Sequence, residues 1–235
     1  MARFTFALAA TLACSTSVFA QPAAPAPAAD AKPEKWNVNA PPGMITRKVP
    51  IAVDEGSWMN VDVAPDGRTV AFDLLGDIYT MPIEGGTPTR IADGLAFEHQ
   101  PRFSPDGNRI AFVSDRAGGD NIWLMNRNGS GKVQLSKEDF RLLNQPSWSP
   151  DGQFIVAKKH FTTGRSLGTG EVWMYHVSGG AGVALVKKPN ERHQKELGEP
   201  IFAADGKSVF YTRNVTPGPI FEYAQDSNSD LFHIE

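Results

Sequence analysis

A chain of 235 residues, 41% hydrophobic and 21% charged, suits one β-rich domain of the 200–250-residue kind. Its 22 glycines and 18 prolines, set among few long apolar periods, predict many turns and exclude a helical protein. A net charge of −3 gives no electrostatic ground for nucleic acid or an anionic membrane as partner.

The N-terminus reads as an address. Arg3 supplies a short positive region, residues 4–13 are apolar, and Val18-Phe19-Ala20 places small residues where a signal peptidase reads. This predicts a signal peptide over residues 1–20, cleaved after Ala20, and a periplasmic or secreted protein. The apolar stretch is shorter than the about 20 residues that span a bilayer, so no transmembrane segment is expected in the mature chain. A lipoprotein signal ending at Cys14 is the alternative, but Thr11 is a poor residue three places before it. Cys14 is the only cysteine, so cleavage after Ala20 excludes a disulfide, a thiolate nucleophile or a cysteine-bound metal. Residues 21–42, rich in Ala and Pro without apolar periodicity, read as an extended linker. Residues 45–53 then read as a strand ahead of the first repeat, placed to complete a last sheet.

From residue 57 onward an internal repeat dominates the chain. Pro-Asp-Gly occurs at 65–67, 105–107 and 150–152, with a degenerate Ala204-Asp205-Gly206; the aspartates are 40, 45 and 54 residues apart. That spacing is near the about 40–45 residues of one four-stranded propeller blade. Three residues before each aspartate stands Val63, Phe103, Trp148 or Phe202, and four after it Val70, Ile110, Ile155 or Val209. Further on come Asp77-Ile78-Tyr79, Asn121-Ile122-Trp123, Glu171-Val172-Trp173 and Asp230-Leu231-Phe232. The motif is turn chemistry: Pro presets φ, Asp bonds the local backbone, and Gly takes the left-handed conformation that closes a hairpin. In the second repeat, strands are expected at 101–104, 109–114, 121–126 and 133–136, with later turns at Gly85-Gly86, Asn128-Gly129 and Ser178-Gly179-Gly180. Alternation in Arg109-Ile110-Ala111-Phe112-Val113 marks a strand buried between two sheets. The fold class is therefore all-β: a propeller over residues 43–235 with four-stranded antiparallel blades near 57–94, 95–139, 140–187 and 198–235. Glu235 falls in the third strand of a fourth blade, and since propellers use about 4–8 blades, the propeller is expected to be incomplete, a fragment.

The run PRFSPDGNRIAFVSDRAGGDNIWLMNRNGS (101–130) resembles the repeats of TolB propellers, and the pattern extends over 57–235. The segments DEGSWMNVDVAPDG (54–67), AKKHFTTGRSLGTGEVWMYHVSGG (157–180) and FEYAQDSN (221–228) are similar to the N-terminal propeller of large periplasmic proteins that continue into a metal-dependent amidohydrolase domain. That resemblance implies a non-catalytic docking or gating module of a hydrolase of non-peptide C–N bonds. It implies no cofactor in this chain, a metal, zinc, only in the hydrolase domain, and that domain or envelope proteins as partners. Members carry an H-x-H metal pair near the start of the catalytic barrel, and His99, His160, His176, His193 and His233 form none. Two alternatives stand: a TolB-type scaffold that binds envelope proteins, and the propeller of a prolyl-oligopeptidase-like serine peptidase.

Strand parity places the Pro-Asp-Gly turns on one face of the disc. The connections that expand, 160–170, 187–199 and 213–229, lie on the other. Polar and aromatic groups on long connections suggest docking, which singles out His160, Arg165, Glu222 and Tyr223. Polar residues just before each innermost strand, His99-Gln100, Asn144-Gln145 and Gly198-Glu199, are expected to line the mouth of a central channel. Gly164-Arg165-Ser166-Leu167-Gly168 matches G-x-S-x-G, but that elbow needs a strand-to-helix turn and a histidine base; between two strands it is coincidence. His193 with Glu196 supplies too few ligands for a metal, Asp115-Arg116 reads as an ion pair or turn stabiliser, and Trp123, Trp148 and Trp173 occupy core columns.

Overall fold

The repeated turns build the fold, seen in a computed structural model that describes residues 37–139, 141–162, 168–191, 193, 195–217 and 229–235. All of these fall in one contact unit, Lys35–Glu235. In each turn the aspartate Oδ1 accepts the N–H two residues on, that of Arg68, Asn108, Gln153 or Lys207, at 2.9 to 3.1 Å. The following glycine sits at φ 69 to 72°, and its N–H closes onto the carbonyl three residues back at 2.8 to 2.9 Å. This is a type I turn with a left-handed glycine bulge, the geometry that matches hairpin twist.

These bonds favour the ionised carboxylate. The Ser104 and Ser149 hydroxyls, with the N–H two residues on, hold Asp106 and Asp151 below the usual range. The Arg68 N–H and then Arg127 do the same for Asp66. A folded-state pKa below the unfolded one gives stability that is present above the unfolded value, about 3.9, and lost as pH falls through the folded value. Burial raises Asp62 and opposes this in part. The expected result is a urea midpoint that falls below about pH 4, with a shallower fall in Asp106→Asn; an unchanged slope in that variant would contradict the assignment.

Each turn joins the first two strands of a sheet. The first blade is β1 (Val61–Val63), β2 (Thr69–Leu74), β3 (Asp77–Pro82) and β4 (Thr89–Ala92). The second is β5 (Glu98–Phe103), β6 (Arg109–Ser114), β7 (Asn121–Asn126) and β8 (Val133–Gln134). The third is β9 (Leu142–Trp148), β10 (Phe154–Thr162), β11 (Gly168–His176) and β12 (Val183–Val186), and the fourth is β13 (Leu197–Phe202), β14 (Val209–Asn214) and β15 (Ser229–Ile234). Every pairing is antiparallel between consecutive strands. The first strands β1, β5, β9 and β13 contact one another in succession, which is the radial arrangement of an incomplete β-propeller.

The blades are held by three apolar layers. Large side chains on one face of each blade meet small or flat ones on its predecessor: Phe103, Ile110, Phe112 and Met125 cover Ala64, Ala71, Ile78 and Ala92. Trp148, Ile155 and Tyr175 then cover Ala111, Val113, Ile122 and Leu124. Val209 and Tyr211 cover Val156 and Val172 in the same way. Burying a side chain such as Phe112 contributes about 2–3 kcal/mol by area, and the alternation of size lets flat sheets interdigitate. Trp148 belongs to the middle layer, with Trp173 packed against it and Trp123 against the first.

Three expectations are corrected. Residues 45–53 form no strand: Ile45, Val49, Ile51 and Val53 are exposed, and the segment has no hydrogen-bonded neighbour in any of the four sheets, without which apolar alternation cannot make a strand. The fourth strand of the second blade stops at Gln134, because the N–H groups of both Leu135 and Ser136 turn onto the single Ile122 carbonyl. Asp115 and Arg116 do not pair with each other. Asp115 accepts the Phe97 N–H at 2.8 Å, whereas Arg116 pairs with the fully buried Glu98 and lies over Phe112 and Trp123. Among the described residues no helix is long and apolar enough to cross a membrane.

Candidate channel and docking site

Three innermost strands share an unusual residue. Gln100, Gln145 and Glu199 are non-glycine residues in the left-handed region, at φ 54, 54 and 53°, and each precedes a proline, Pro101, Pro146 or Pro200. Such a conformation costs about 1–2 kcal/mol without compensation. It also turns the backbone out of the ladder: register shifts lie between His99 and Arg102, opposite Gln145, and between Gly198 and Ile201.

The freed N–H groups supply the compensation. Glu199 donates its N–H to Gln145 Oε1 at 2.9 Å, Gln145 to Gln100 Oε1 at 2.6 Å, and Gln100 to Asp73 Oδ2 at 2.7 Å. Each bond crosses from one blade to the one before. Asp73 ends the series, since its carboxylate also accepts the N–H and Nδ2 of Asn60 at 2.9 and 2.8 Å. The result is a side-chain-to-backbone clasp that runs around the axis through all four blades.

The clasp walls an open cavity of about 450 Å³, lined by Asn60, Gln100, Arg102, Gln145, Ser147 and Glu199 among others. Arg102 donates to the carbonyls of Pro101 and Val61 at 2.8 and 3.3 Å. The half-buried carboxyl of Asp62 accepts the Phe103 N–H at 2.7 Å, and burial raises its pKa against that hydrogen bond and the nearby Arg102. The cavity lining presents hydrogen-bonding groups and the charges of Arg102 and Glu199 beside Pro146, Pro200 and Ile201.

Of the expected channel-mouth residues, Gln100, Gln145 and Glu199 come together in this way. His99 stands beside Gln100 against Phe97; burial lowers its pKa, opposed by Asp120, Asp73 and Asp115. Asn144 lies opposite Lys158 in the β9–β10 pair, its Oδ1 buried. His160 lies on β10 opposite Gly170, lowered by burial and by Lys158 and Arg141. Neither Asn144 nor His160 lines the cavity. Arg165, Glu222 and Tyr223 lie outside the described residues. Sequence reasoning missed Asn60, Asp73 and Arg102; of these only Asn60 had a readable signal, standing six places ahead of Asp66 as Gln100, Gln145 and Glu199 stand ahead of their own turn aspartates.

Glu196, considered with His193 as a metal pair, is held by Lys158. Among the described residues no three His, Cys, Asp or Glu side chains converge to hold a metal. Of the G-x-S-x-G run, residues 164–167 lie outside the described residues, and Gly168 begins β11.

Comparison with known proteins agrees with the propeller fold. The family model described as the tricorn protease N-terminal beta propeller domain matches residues 60–219. The chain is 26% identical over 190 residues to the uncharacterized peptidase YuxL of Bacillus subtilis, covering 65% of this chain and 29% of that protein. To tricorn protease homolog 1 of Streptomyces coelicolor it is 30% identical over 93 residues, covering 39% of this chain and 9% of that protein. In fold it is similar to TolB from Acinetobacter baumannii, with TM-score 0.53, 22% identity, and 67% and 38% of the two chains covered. It is also similar to a puromycin-hydrolyzing peptidase of Mycobacterium tuberculosis, with TM-score 0.52, 14% identity, and 78% and 28% covered. The chain thus spans about a third or less of the length of the curated relatives it matches.

Proposed function

The chain belongs to the family of tricorn protease N-terminal β-propeller domains, and from that premise we propose that it is the non-catalytic docking and entry module of a longer periplasmic hydrolase that acts on amide bonds. The observation that carries this reading is the open cavity walled by Asn60, Gln100, Arg102, Gln145 and Glu199, which offers hydrogen-bonding and charged groups to a bound chain. The leader-like residues 1–20 support the periplasmic assignment.

Two kinds of catalytic partner have support. The segments 54–67, 157–180 and 221–228 favour a metal-dependent amidohydrolase, whose zinc ligands would belong to that domain. The relatives named as peptidases favour a serine peptidase. A TolB-type scaffold is the third reading, favoured by the fold of the Acinetobacter baumannii protein.

The coding sequence that follows Glu235 separates them. An H-x-H pair opening a βα barrel supports the amidohydrolase, and G-x-S-x-G on a strand-to-helix turn followed by Asp and His supports the peptidase. The 235-residue chain is expected to hydrolyse no amide, and the longer protein to do so. Amide hydrolysis by the short chain, or a downstream sequence with neither pattern, contradicts the proposal.

A further inference from the structure

The turn between β2 and β3 is built against the preference of its own backbone. Leu74 pairs with Asp77, which leaves Leu75-Gly76 as a two-residue loop, and both residues stand in the left-handed region, at φ 55 and 85°. A loop of that kind favours Asn-Gly, since both central residues need a positive φ, and a leucine there costs about 1–2 kcal/mol. Burial returns little of this, because Leu75 is 70% exposed. Gly76 is required, as a Cβ would stand 2.8 Å from the Phe97 ring. Neither packing nor backbone asks for leucine beside it.

Leu75 has company. Phe97 lies against Gly76 and is 55% exposed, and Leu95, on the same link between β4 and β5, is 47% exposed. Carboxylates surround them. Asp115 accepts the Phe97 N–H, and Asp120, Asp73 and Asp115 all act on His99, whose ring lies 5.4 Å from that of Phe97. Arg90 is taken up by Asp77 and Asp93, and Arg116 by Glu98. Among the described residues no lysine or arginine forms an ion pair with Asp73, Asp115 or Asp120. Burial raises the Asp120 pKa, His99 opposes that, and the like charge of Asp115 adds to it; a cation brought to this place relieves the repulsion. The surface lies between the first two blades, each with its four strands, at the end away from the Pro-Asp-Gly turns.

We propose that the Leu75, Leu95 and Phe97 surface docks a short segment of a separate polypeptide, in which apolar side chains are flanked by lysine or arginine. The three apolar groups form a water-excluding centre, and Asp115 and Asp120 receive the cations at its rim. Charge selects the partner, since carboxylates without a paired cation reject an acidic segment. Size selects it as well: three exposed side chains suit the anchor of one segment, whereas a folded partner of standard size covers about 800 Å² per side. A leucine held in a costly conformation, with no return from the fold, marks a position kept for binding.

A fluorescein-labelled peptide of leucine and phenylalanine flanked by lysines tests this, beside one control with glutamate for lysine and another with serine for the apolar residues. Anisotropy with the 235-residue chain is expected to show saturable binding of the lysine–apolar peptide alone, weakened several-fold as salt rises from about 50 to 300 mM. Phe97→Ser and Leu75→Asn should each weaken it about tenfold, the loss of one buried apolar contact, and Asp120→Asn about threefold. Leu75→Asn separates binding from folding. Asparagine suits the turn, so the thermal midpoint should rise by about 2 °C while affinity falls. The proposal is overturned if no peptide binds, if the serine or glutamate peptide binds equally, or if affinity ignores Leu75→Asn. A lower midpoint in that variant overturns it too, since the leucine then serves the fold. So does a peptide that binds the 235-residue chain but not the longer protein, because a domain of the same polypeptide is then the occupant.

Discussion

Arg116→Ala is expected to destabilise the chain by about 3–5 kcal/mol, because it strands a carboxylate inside the protein. Glu98 is 0% exposed, and Arg116 is the cation that faces it. Phe112 and Trp123 stack against the same guanidinium, at 5.9 and 5.2 Å from the ring centroids. Burial lowers the Arg116 pKa, and an arginine guanidinium keeps its charge in proteins. Removing the cation leaves its partner neither solvated nor paired, and that desolvation penalty outweighs the lost contact itself. The control is therefore the double variant Arg116→Ala with Glu98→Gln, expected to recover about 2 kcal/mol of the loss because an amide tolerates burial better than a bare carboxylate. Urea unfolding of the four members of the cycle measures both numbers. If the double variant is as unstable as Arg116→Ala, the cost lies in lost packing over Phe112 and Trp123.

How much of the molecule was legible in its sequence divides along a physical line. The Pro-Asp-Gly grammar states its backbone geometry locally, so the hairpins and the columns Val70, Ile110, Ile155 and Val209 could be placed from spacing alone. Trp148 could be assigned to a core for the same reason. The clasp was half legible. Gln100, Gln145 and Glu199 stand at one repeat position, but their reading as a polar channel lining left out that the oxygens of Gln100 and Gln145 are engaged by the next blade. That requires knowing how far adjacent blades approach, a distance set by packing and absent from periodicity. Asp73 was invisible for a related reason. Its repeat counterparts are Val113, Lys158 and Thr212, so no column announces it, and its role arises only because Asn60 and Gln100 converge on it from two strands. Residues 45–53 failed in the opposite sense: their alternation suits a strand, but pairing is a property of two segments, and one segment cannot show it.

Asp73→Ala is the second large effect, expected at about 3 kcal/mol and larger than that of any single clasp glutamine. The side chain is 6% exposed and accepts three N–H donors: the Asn60 backbone and amide, and the Gln100 backbone. Hydrogen bonds to a charged acceptor contribute about 1.5–3 kcal/mol each in isolation and do not add fully when they share one group. Alanine leaves the Gln100 N–H without its acceptor while that residue still bears its left-handed conformation, so strain and desolvation fall on one position. Gln145→Ala, by contrast, removes a neutral acceptor from a single N–H, and a loss of about 1 kcal/mol is expected. Asp73→Asn discriminates between charge and shape: it keeps one oxygen but turns an NH₂ group toward donors, and should cost nearly as much as alanine. Amide exchange gives the local readout. Protection at Gln100 should collapse in Asp73→Ala, while Gln145, whose acceptor is the Gln100 side chain, loses protection only as far as that side chain is released. Equal, small losses in Asp73→Ala and Gln145→Ala would mean that the first blade is held by its apolar layer alone, and that the clasp has no anchored end.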